Sequence, residues 1–403
     1  MKYKSLAVLL LSASTSFVCM AQTTAVVEDF KTTPTTQLEK KYPQVNSEGR
    51  VRVSISAPQA LKVQLDIGAV KYDLVKDDKG VWTGESAPQD VGFHYYQLNI
   101  DGASVPDPGS LYYYGASRWG SGIEIPAKDQ DFYALKNVPH GQLRENQYFS
   151  KTSNSVRRVY IYTPPGYDND AKKYPVLYLQ HGMGENETGW GNQGRTAMIM
   201  DNLIAEGKSL PFIIVMENSS INLGGAPRGP RPNGAAPQGA PTVAPPAAPA
   251  PGQAAPRFGG MGGMNFSGQF ERILFDDLIP YIESNFRVIP DQAHRAMAGL
   301  SMGGMQTHSI VVANPDKFSY VGMFSSGTFS PTEIKDIDSF KKKVKVVFMS
   351  FGGREGGSVK IAAAAEEWNN VGIKGVSYIS PETAHEWQSW RRSLHEFAPL
   401  LFK

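Results

Sequence analysis

Cysteine is nearly absent from the sequence, because its 403 residues include a single thiol, Cys19. That cysteine follows an apolar run from Leu6 to about Val18, which two lysines precede. The pattern predicts a cleaved secretory signal peptide over residues 1–21, and hence a secreted or periplasmic protein. The mature chain would then contain no thiol nucleophile, no disulfide and no cysteine zinc site.

Long hydrophobic runs and an excess of one charge are also lacking. The amino-terminal run is shorter than the roughly 20 residues that a membrane-spanning helix needs, which disfavours an uncleaved anchor. A lipoprotein signal would make Cys19 the lipidated residue, but Val18 stands where such signals usually carry a small residue. The 40 basic and 38 acidic residues nearly cancel, which disfavours nucleic acid and anionic membranes as partners.

Short alternating runs dominate the first part of the chain, after a polar segment that predicts a linker over residues 22–44. Runs such as RVRVSIS and HYYQLNI alternate apolar and polar residues between Gly, Pro and Asp, which is typical of half-buried antiparallel strands. We expect an all-β, immunoglobulin-like sandwich over residues 45–126. A second linker is expected over residues 127–140.

Apolar strands alternate with helical stretches from about Gly141, which predicts an α/β domain with a doubly wound parallel sheet over residues 141–403. The strand candidates include YPVLYLQHG, PFIIVMENSS, HRAMAGLS and VKVVFMSFG. Residues 223–264 interrupt this pattern with Pro, Ala and Gly. Such a composition cannot bury enough apolar surface to fold, so it predicts a disordered insertion within the domain.

The stretch from Gly299 to Gly303, GLSMG, stands between a predicted strand and a predicted helix. Gly-x-Ser-x-Gly at such a junction is the pattern of a nucleophile elbow, a sharp turn whose glycines let strand and helix pass closely. A glycine-rich structural turn is the alternative, because the pattern also occurs by chance. We predict that Ser301 is a nucleophile and that the N–H of Met302 helps to bind an oxyanion.

A serine nucleophile needs a base, and the base needs an acid that orients it. In a fold of this kind the acid and then the histidine follow the serine along the chain. Three histidines lie downstream of Ser301. His308 and His395 fall inside predicted helices, whereas His385 follows the last predicted strand and is the predicted base.

Several carboxylates compete for the role of the orienting acid. Glu355 follows the strand VKVVFMS through a tight loop, which is the expected location. Asp336 and Asp338 are rivals, but both precede that strand. Glu355 is therefore the predicted acid.

The second oxyanion donor is expected in the loop after an early strand. Gly182 and Met183 follow such a strand and are the predicted donors, and His181 is predicted to brace their loop. The tryptophans expected on the same rim are Trp190, Trp387 and Trp390. They could hold a sugar or an aromatic acyl group as substrate-binding residues, or they could be ordinary core or lid residues.

Together these stretches resemble the carbohydrate esterases of family 1, which include feruloyl esterases and acetyl xylan esterases. The resemblance covers roughly residues 141–403 and rests on YPVLYLQHGMGENETGW, DDLIPYIESNFRV, HRAMAGLSMGGMQT, FGGREGG and HEWQSWRRSLHEF. It implies an α/β-hydrolase fold with Ser301 as nucleophile, His385 as base and Glu355 as acid. Relatives more often carry aspartate as the acid, which is a departure in this chain.

The leading region resembles the carbohydrate-binding modules of family 48 through VWTGESAPQDVGFHYYQLNIDGASVPDPGS. The resemblance implies contact with a glycan. The aromatic candidates for stacking on sugars are Trp82, Tyr95, Tyr96 and Trp119. Alternation along a strand places about half of such aromatics in the core instead.

These inferences predict a serine esterase that needs no cofactor and no metal and removes feruloyl groups from plant xylan through an acyl-enzyme. Its partners would be feruloylated or acetylated xylan and derived oligosaccharides. Removal of acetate is the first alternative. A lipase or peptidase on the same scaffold, and a carbohydrate-binding or adhesion protein with an inactive esterase domain, are the others.

Overall fold

The computed structural model describes residues 26–220 and 268–403. The predicted signal peptide and the predicted insertion at residues 223–264 lie outside these ranges. Two regions follow each other along the described chain. Antiparallel sheets extend as far as Ile125, and one large mixed sheet begins at Gln142.

The first region contains two antiparallel sheets, with strand orders β1-β2-β3-β7-β6 and β10-β11-β8-β4-β5, and β9 pairs with β8. Its strands are β1 (Lys31–Thr32), β2 (Gln44–Val45), β3 (Val51–Ser56), β4 (Val63–Ile67), β5 (Val70–Asp73), β6 (Val75–Lys76), β7 (Val81–Glu85), β8 (Gly92–Ile100), β9 (Ala103–Val105), β10 (Tyr112–Gly115) and β11 (Arg118–Ile125).

The two antiparallel sheets share one hydrophobic cluster. Val51 and Val53 of β3 point into it from the first sheet, and Val63 and Leu65 of β4 from the second, and all four are fully buried. The residues between them are partly exposed. One face of each sheet is therefore buried and the other is not. This explains why apolar and polar residues alternate along these strands in the sequence.

The segment predicted as a linker over residues 22–44 is attached to the sheets where it is described, which differs from the prediction. β1 pairs with β2, and Arg52 of β3 forms an ion pair with Glu28 at 2.9 Å while lying over the ring of Phe30. Two-residue strands are too short to show an alternating pattern, so sequence periodicity missed them.

The segment predicted as a second linker, residues 127–140, also packs against its surroundings. It contains the 3₁₀ turn Gln130–Tyr133, in which Tyr133 is buried. The side chain of Asn202 donates hydrogen bonds to the carbonyls of Phe132 and Ala134 at 3.1 and 3.0 Å. The connection is thus fixed on the second region, which restricts how the two regions can move.

The second region is built on an eight-stranded sheet with the order β12-β13-β15-β14-β16-β17-β18-β19. Its strands are β12 (Gln142–Ser150), β13 (Ser155–Thr163), β14 (Val176–Gln180), β15 (Ile213–Glu217), β16 (Arg295–Leu300), β17 (Tyr320–Phe324), β18 (Val346–Gly352) and β19 (Lys374–Ser380). The six strands β14 to β19 are parallel to each other. Strand β13 pairs antiparallel with β15, and β12 pairs antiparallel with β13.

Helices lie on both faces of this sheet. They are α1 (Gly189–Asn192), α2 (Thr196–Ala205), α3 (Gly268–Arg272), α4 (Ile279–Asn285), α5 (Met302–Ala313), α6 (Ile337–Lys343), α7 (Ile361–Asn370) and α8 (Trp387–Phe397), and a π-helical segment, Ile273–Leu278, joins α3 to α4. Short 3₁₀ turns occur at Tyr167–Asn169, Gln292–His294, Pro331–Glu333, Ser358–Lys360 and Ala398–Leu400. Within the described residues, no helix combines the length and apolarity required to cross a membrane.

Strand β14 shows how the two faces are covered. Val176 and Tyr178 point into a cluster that includes residues of α4, α5 and α7, whereas Leu177 and Leu179 point into a cluster that includes residues of α2 and α8. Every residue of the strand is buried. A strand of a parallel sheet that is covered on both faces is apolar along its whole length, as β14 is. The predicted α/β fold is confirmed.

The two regions are joined by a buried ion pair. Arg391 of α8 is fully buried and donates two hydrogen bonds to Glu124 of β11, at 2.6 and 3.0 Å. Burial works to raise the pKa of Glu124, but the Arg391 guanidinium holds that pKa below its ordinary value. The ionised pair therefore fixes α8 to the antiparallel sheets.

We expect Glu124→Gln to lower the free energy of unfolding by about 3 kcal/mol, because it leaves the charge of Arg391 buried and unpaired. Urea unfolding of the intact chain measures this change. The matched control is Asp129→Asn, which removes a half-exposed partner of Arg392. That control should cost at most about 1 kcal/mol, and an equal loss in both variants would contradict the assignment.

Candidate active site

Ser301 occupies the single position between strand β16 and helix α5. Its backbone has φ of 51° and ψ of −116°, in the region that residues with a Cβ seldom adopt. Such a conformation costs about 1–3 kcal/mol and persists only where the surroundings enforce it. The strand therefore turns sharply into the helix, and the serine stands at the carboxyl edge of the sheet at a helix amino terminus.

Two glycines make the sharp turn possible. A Cβ at Gly299 would lie 2.4 Å from the carbonyl carbon of Gly303, and a Cβ at Gly303 would lie 2.6 Å from the carbonyl oxygen of His181. Neither separation is tolerable between non-bonded atoms. Strand, helix and the neighbouring loop thus approach so closely that only glycine fits, which gives the physical reason for the Gly-x-Ser-x-Gly spacing.

His385 and Glu355 form a hydrogen-bonded pair at the same edge of the sheet. Glu355 follows β18, and His385 lies between β19 and α8. Nδ1 of the imidazole lies 2.8 Å from Oε2 of Glu355, so Nδ1 carries the proton that it donates to the carboxylate. The other ring nitrogen, Nε2, is then available to act as an acceptor.

Ser325 supports the carboxylate and was missed by sequence analysis. Its hydroxyl donates to Oε1 of Glu355 at 2.7 Å, and the N–H of Gly352 donates to the same oxygen at 2.7 Å. Burial works to raise the pKa of Glu355, but the hydrogen bonds from His385 and Ser325 hold it below its ordinary value. Ser325 directly follows β17, a position at the carboxyl edge that could have identified it.

Trp390 of α8 completes this network. Its indole N–H donates to the hydroxyl oxygen of Ser325 at 3.1 Å, and its ring meets the ring of His385 edge to face with centroids 5.1 Å apart. The buried Trp390 side chain thus contacts both Ser325, which holds Glu355, and the imidazole of His385. Through these two contacts Trp390 helps to fix the orientation of the imidazole and the carboxylate.

The rival residues take part in other interactions. Asp336 caps helix α6 by accepting from the N–H of Ser339, and Asp338 pairs with Lys341 on the same helix. Two further residues predicted not to react, His308 and His395, pair with Glu333 and Glu396. In the described ranges, no group of three His, Cys, Asp or Glu side chains has the arrangement of a metal site.

The loop after β14 lies against Ser301. A Cβ at Gly182 would lie 3.4 Å from Cβ of Ser301, and Met183 next to it is exposed. His181 is buried and donates from Nδ1 to the carbonyl of Gly182, while its Nε2 accepts from the N–H of Ser219. Burial lowers the pKa of His181, so a neutral imidazole braces the loop. Met302 begins α5, where backbone N–H groups have no partner within the helix.

The three tryptophans are mostly core residues, which corrects their interpretation as a substrate-binding rim. Trp190 is 1% exposed and donates to the carbonyl of Gln180, and Trp387 is 2% exposed and packs edge to face on Trp190. Their faces are covered by protein, so neither can stack on a ligand. Trp390 is also buried, and its role is the contact with His385 and Ser325.

Comparisons with known proteins identify the family of this chain. A model of the putative esterase family matches residues 150–222 and 261–399, which is more than half of the chain. Over 385 residues the chain is 42% identical to an endo-1,4-beta-xylanase/feruloyl esterase from Xylanibacter ruminicola. That alignment covers 93% of this chain and 48% of the relative, so the chain spans about half of the relative's length.

Among the solved structures that share this fold are two esterases. A family 1 carbohydrate esterase, a ferulic acid esterase from Anaeromyces mucronatus, matches with a TM-score of 0.50 and 21% identity, over 68% of this chain and 96% of its own. The enterobactin esterase of Shigella flexneri matches with a TM-score of 0.57 and 13% identity, over 87% of this chain and 92% of its own. The esterase fold predicted by resemblance is thus confirmed, and the chain belongs to the putative esterase family.

Proposed function

We propose that this esterase removes feruloyl groups from plant xylan by serine chemistry. The observation that carries the mechanism is the hydrogen bond between His385 and Glu355 at the sheet edge where Ser301 stands in a strained turn. The substrate class is supported by the 42% identical relative, which is described as a xylanase/feruloyl esterase. The proposed location, secreted or periplasmic, rests on the signal pattern of residues 1–21.

In the first step, Oγ of Ser301 attacks the ester carbonyl carbon while Nε2 of His385 takes the hydroxyl proton. Nε2 is the available nitrogen because Nδ1 is bound to Glu355. The imidazolium that forms is stabilised by a carboxylate, which stays ionised at neutral pH because its pKa is lowered. The sugar alcohol then leaves with the proton from Nε2, and an acyl-serine remains.

Charge develops on the carbonyl oxygen during this attack. The backbone N–H groups of Met302 and of Met183, or of Gly182, are the proposed donors to that oxygen. Met302 contributes from the start of α5, where the helix dipole also favours negative charge. In the second step, water attacks the acyl carbon while Nε2 of His385 takes its proton. The bond from that carbon to Oγ of Ser301 then breaks, Oγ takes the proton back from Nε2, and the acid is released.

The antiparallel sheets are proposed to form an immunoglobulin-like carbohydrate-binding module. Of the aromatic candidates, Trp82 and Tyr96 are buried in the cluster of that region, and Tyr95 is committed to contacts with the esterase region. Trp119 on β11 is 48% exposed and can offer a ring face to a sugar. We therefore propose Trp119 as a glycan contact.

Loss of the serine or the acid should abolish or sharply reduce hydrolysis of p-nitrophenyl acetate. Ser301→Ala should lower kcat by about 10⁶-fold, and Glu355→Gln by about 10³–10⁴-fold, because an amide cannot stabilise the imidazolium. Ser325→Ala should lower kcat about tenfold, because a hydrogen bond to a charged group contributes about 1.5 kcal/mol. Retained activity in Ser301→Ala would refute the serine mechanism, whereas no hydrolysis by the wild-type chain would favour a non-catalytic role.

The control for Ser325→Ala is Ser309→Ala on helix α5. Its hydroxyl is exposed and bonds to the carbonyl of Met305 in its own helix. This variant should keep wild-type kcat. An equal loss in both variants would contradict the role given to Ser325.

Methyl ferulate and acetylated xylan, supplied in parallel, test the acyl group. We expect the wild-type chain to hydrolyse methyl ferulate with a kcat/KM at least comparable to that for acetyl release. Ferulate release far below acetate release would reverse the assignment in favour of an acetyl xylan esterase. Ser301→Ala serves as the blank for both substrates.

Substitution of Trp119 tests the glycan contact. Trp119→Ala should weaken binding to xylan about five- to tenfold, because an aromatic face contributes about 1 kcal/mol or more to such stacking. Hydrolysis of p-nitrophenyl acetate should stay at the wild-type rate, because this ester has no sugar. Unchanged binding to xylan in a pull-down assay would remove Trp119 from the glycan site.

A further inference from the structure

The loop from Gly182 to Glu185 is held by the antiparallel sheets as well as by its own region. The backbone N–H of Ser117, in the turn between β10 and β11, donates to the carbonyl of Gly184 at 2.8 Å. Gly184 has a φ of 77°, which is a left-handed conformation, and this hydrogen bond helps to fix it. The loop that carries the proposed oxyanion donors thus depends on a neighbour more than 60 residues earlier in the chain.

Glu185, at the end of this loop, makes the second contact with the sheets. Its side chain is buried, and Tyr95 of β8 donates from its hydroxyl to Oε1 at 2.8 Å. Gln193 donates to Oε2 of Glu185 at 3.3 Å and to the Tyr95 hydroxyl at 2.6 Å. Trp387 donates to the Tyr95 hydroxyl at 3.2 Å.

Tyr95 therefore connects three elements at one atom. Its hydroxyl joins β8, the loop after β14 and the first residue of α8. Trp387 lies two residues after His385, so the same hydroxyl is linked to the loops of both the proposed base and the proposed oxyanion donors. A displacement of this hydroxyl would therefore reach both loops.

We propose that Tyr95 is a positioning residue for ester hydrolysis, which acts through Glu185 to hold the Gly182–Glu185 loop in the conformation that faces Ser301. The antiparallel sheets are then part of the catalytic apparatus, in addition to any binding of glycan. This inference rests on the proposed roles of Ser301, Gly182 and Met183. Its physical basis is that a misplacement of about 1 Å in a reacting group can cost about 100-fold in rate.

The contacts of Glu185 with Tyr95 and Gln193 form the junction between the loop and the sheets. This junction depends on pH because Glu185 can ionise. Burial raises the pKa of Glu185 to about 7, although hydrogen bonds from Tyr95 and Trp387 act to lower it. Tyr95 and Gln193, which hydrogen-bond to this carboxyl, and the adjacent Trp387 are all uncharged. Burial also raises the pKa of Tyr95 well above its ordinary value, so Tyr95 does not titrate in this range.

The raised pKa of Glu185 determines how the stability of the junction changes with pH. The folded pKa of about 7 lies above the ordinary value of 4.5, so the folded protein binds more protons than the unfolded chain between these values. Stability of the junction is therefore fully present below about pH 4.5 and decreases as the pH rises to about 7. Above pH 7 the junction holds a buried carboxylate that forms no ion pair with any of the described residues.

The first experiment compares Tyr95→Phe with Tyr96→Phe in the intact chain. Both variants remove one buried hydroxyl from β8, but Tyr96 donates to Asp107 within the antiparallel sheets. With p-nitrophenyl acetate, Tyr95→Phe should lower kcat at least about tenfold with little change in KM. Tyr96→Phe should keep the wild-type kcat. A folded Tyr95→Phe with wild-type kcat, or equal losses in both variants, would overturn the proposal.

The second experiment measures pH profiles of kcat from pH 5 to 9 for wild type and Glu185→Gln. The amide accepts from Tyr95 and stays neutral, so the variant should keep its activity above pH 7 while wild-type activity falls. Superimposed profiles would overturn the coupling. Glu185→Ala, which removes the acceptor, should reproduce the loss of Tyr95→Phe and replaces it if that variant does not fold.

These outcomes can be separated from failure of the proposed function. If Ser301→Ala retained activity, the serine mechanism itself would be wrong, whatever Tyr95→Phe did. If Ser301→Ala were inactive and Tyr95→Phe fully active, the mechanism would stand and the positioning role would fail.

Discussion

The hydrogen bond between Nδ1 of His385 and Glu355 is the interaction on which the account of this site depends. It fixes the tautomer of the imidazole, leaves Nε2 as the acceptor and supplies the negative charge that an imidazolium needs. Ser325 and the N–H of Gly352 hold the other carboxylate oxygen. Both oxygens of the glutamate are therefore held by hydrogen bonds, which fixes the carboxylate beside the imidazole.

Two buried contacts join the antiparallel sheets to the esterase region near this pair. Arg391 and Glu124 tie α8 to β11 through a buried ion pair, and Tyr95 ties β8 to the loop beside Ser301. Both contacts reach elements next to the proposed base or oxyanion donors. Sheets that are attached in this way can influence the positions of the groups proposed to act on the ester.

Much of this arrangement could be predicted from the sequence, and the exceptions have physical causes. The GLSMG elbow and the loop positions of His385 and Glu355 are local patterns with a fixed relation to strands. The strand β12 was missed because it is a polar edge strand with weak periodicity, and β1 because it has two residues. The tryptophans were misjudged because their burial depends on packing between α1 and α8, and Tyr95 because its partners lie about 90 and 290 residues away.

A serine-directed fluorophosphonate measures whether Ser301 is activated by His385. The reagent bonds covalently to a serine only where a base and an oxyanion site activate the hydroxyl, and mass spectrometry of peptides locates the adduct. We expect a single adduct on Ser301 in the wild-type chain and its loss in His385→Ala. An adduct on a different serine, or no adduct in a protein that hydrolyses esters, would contradict it.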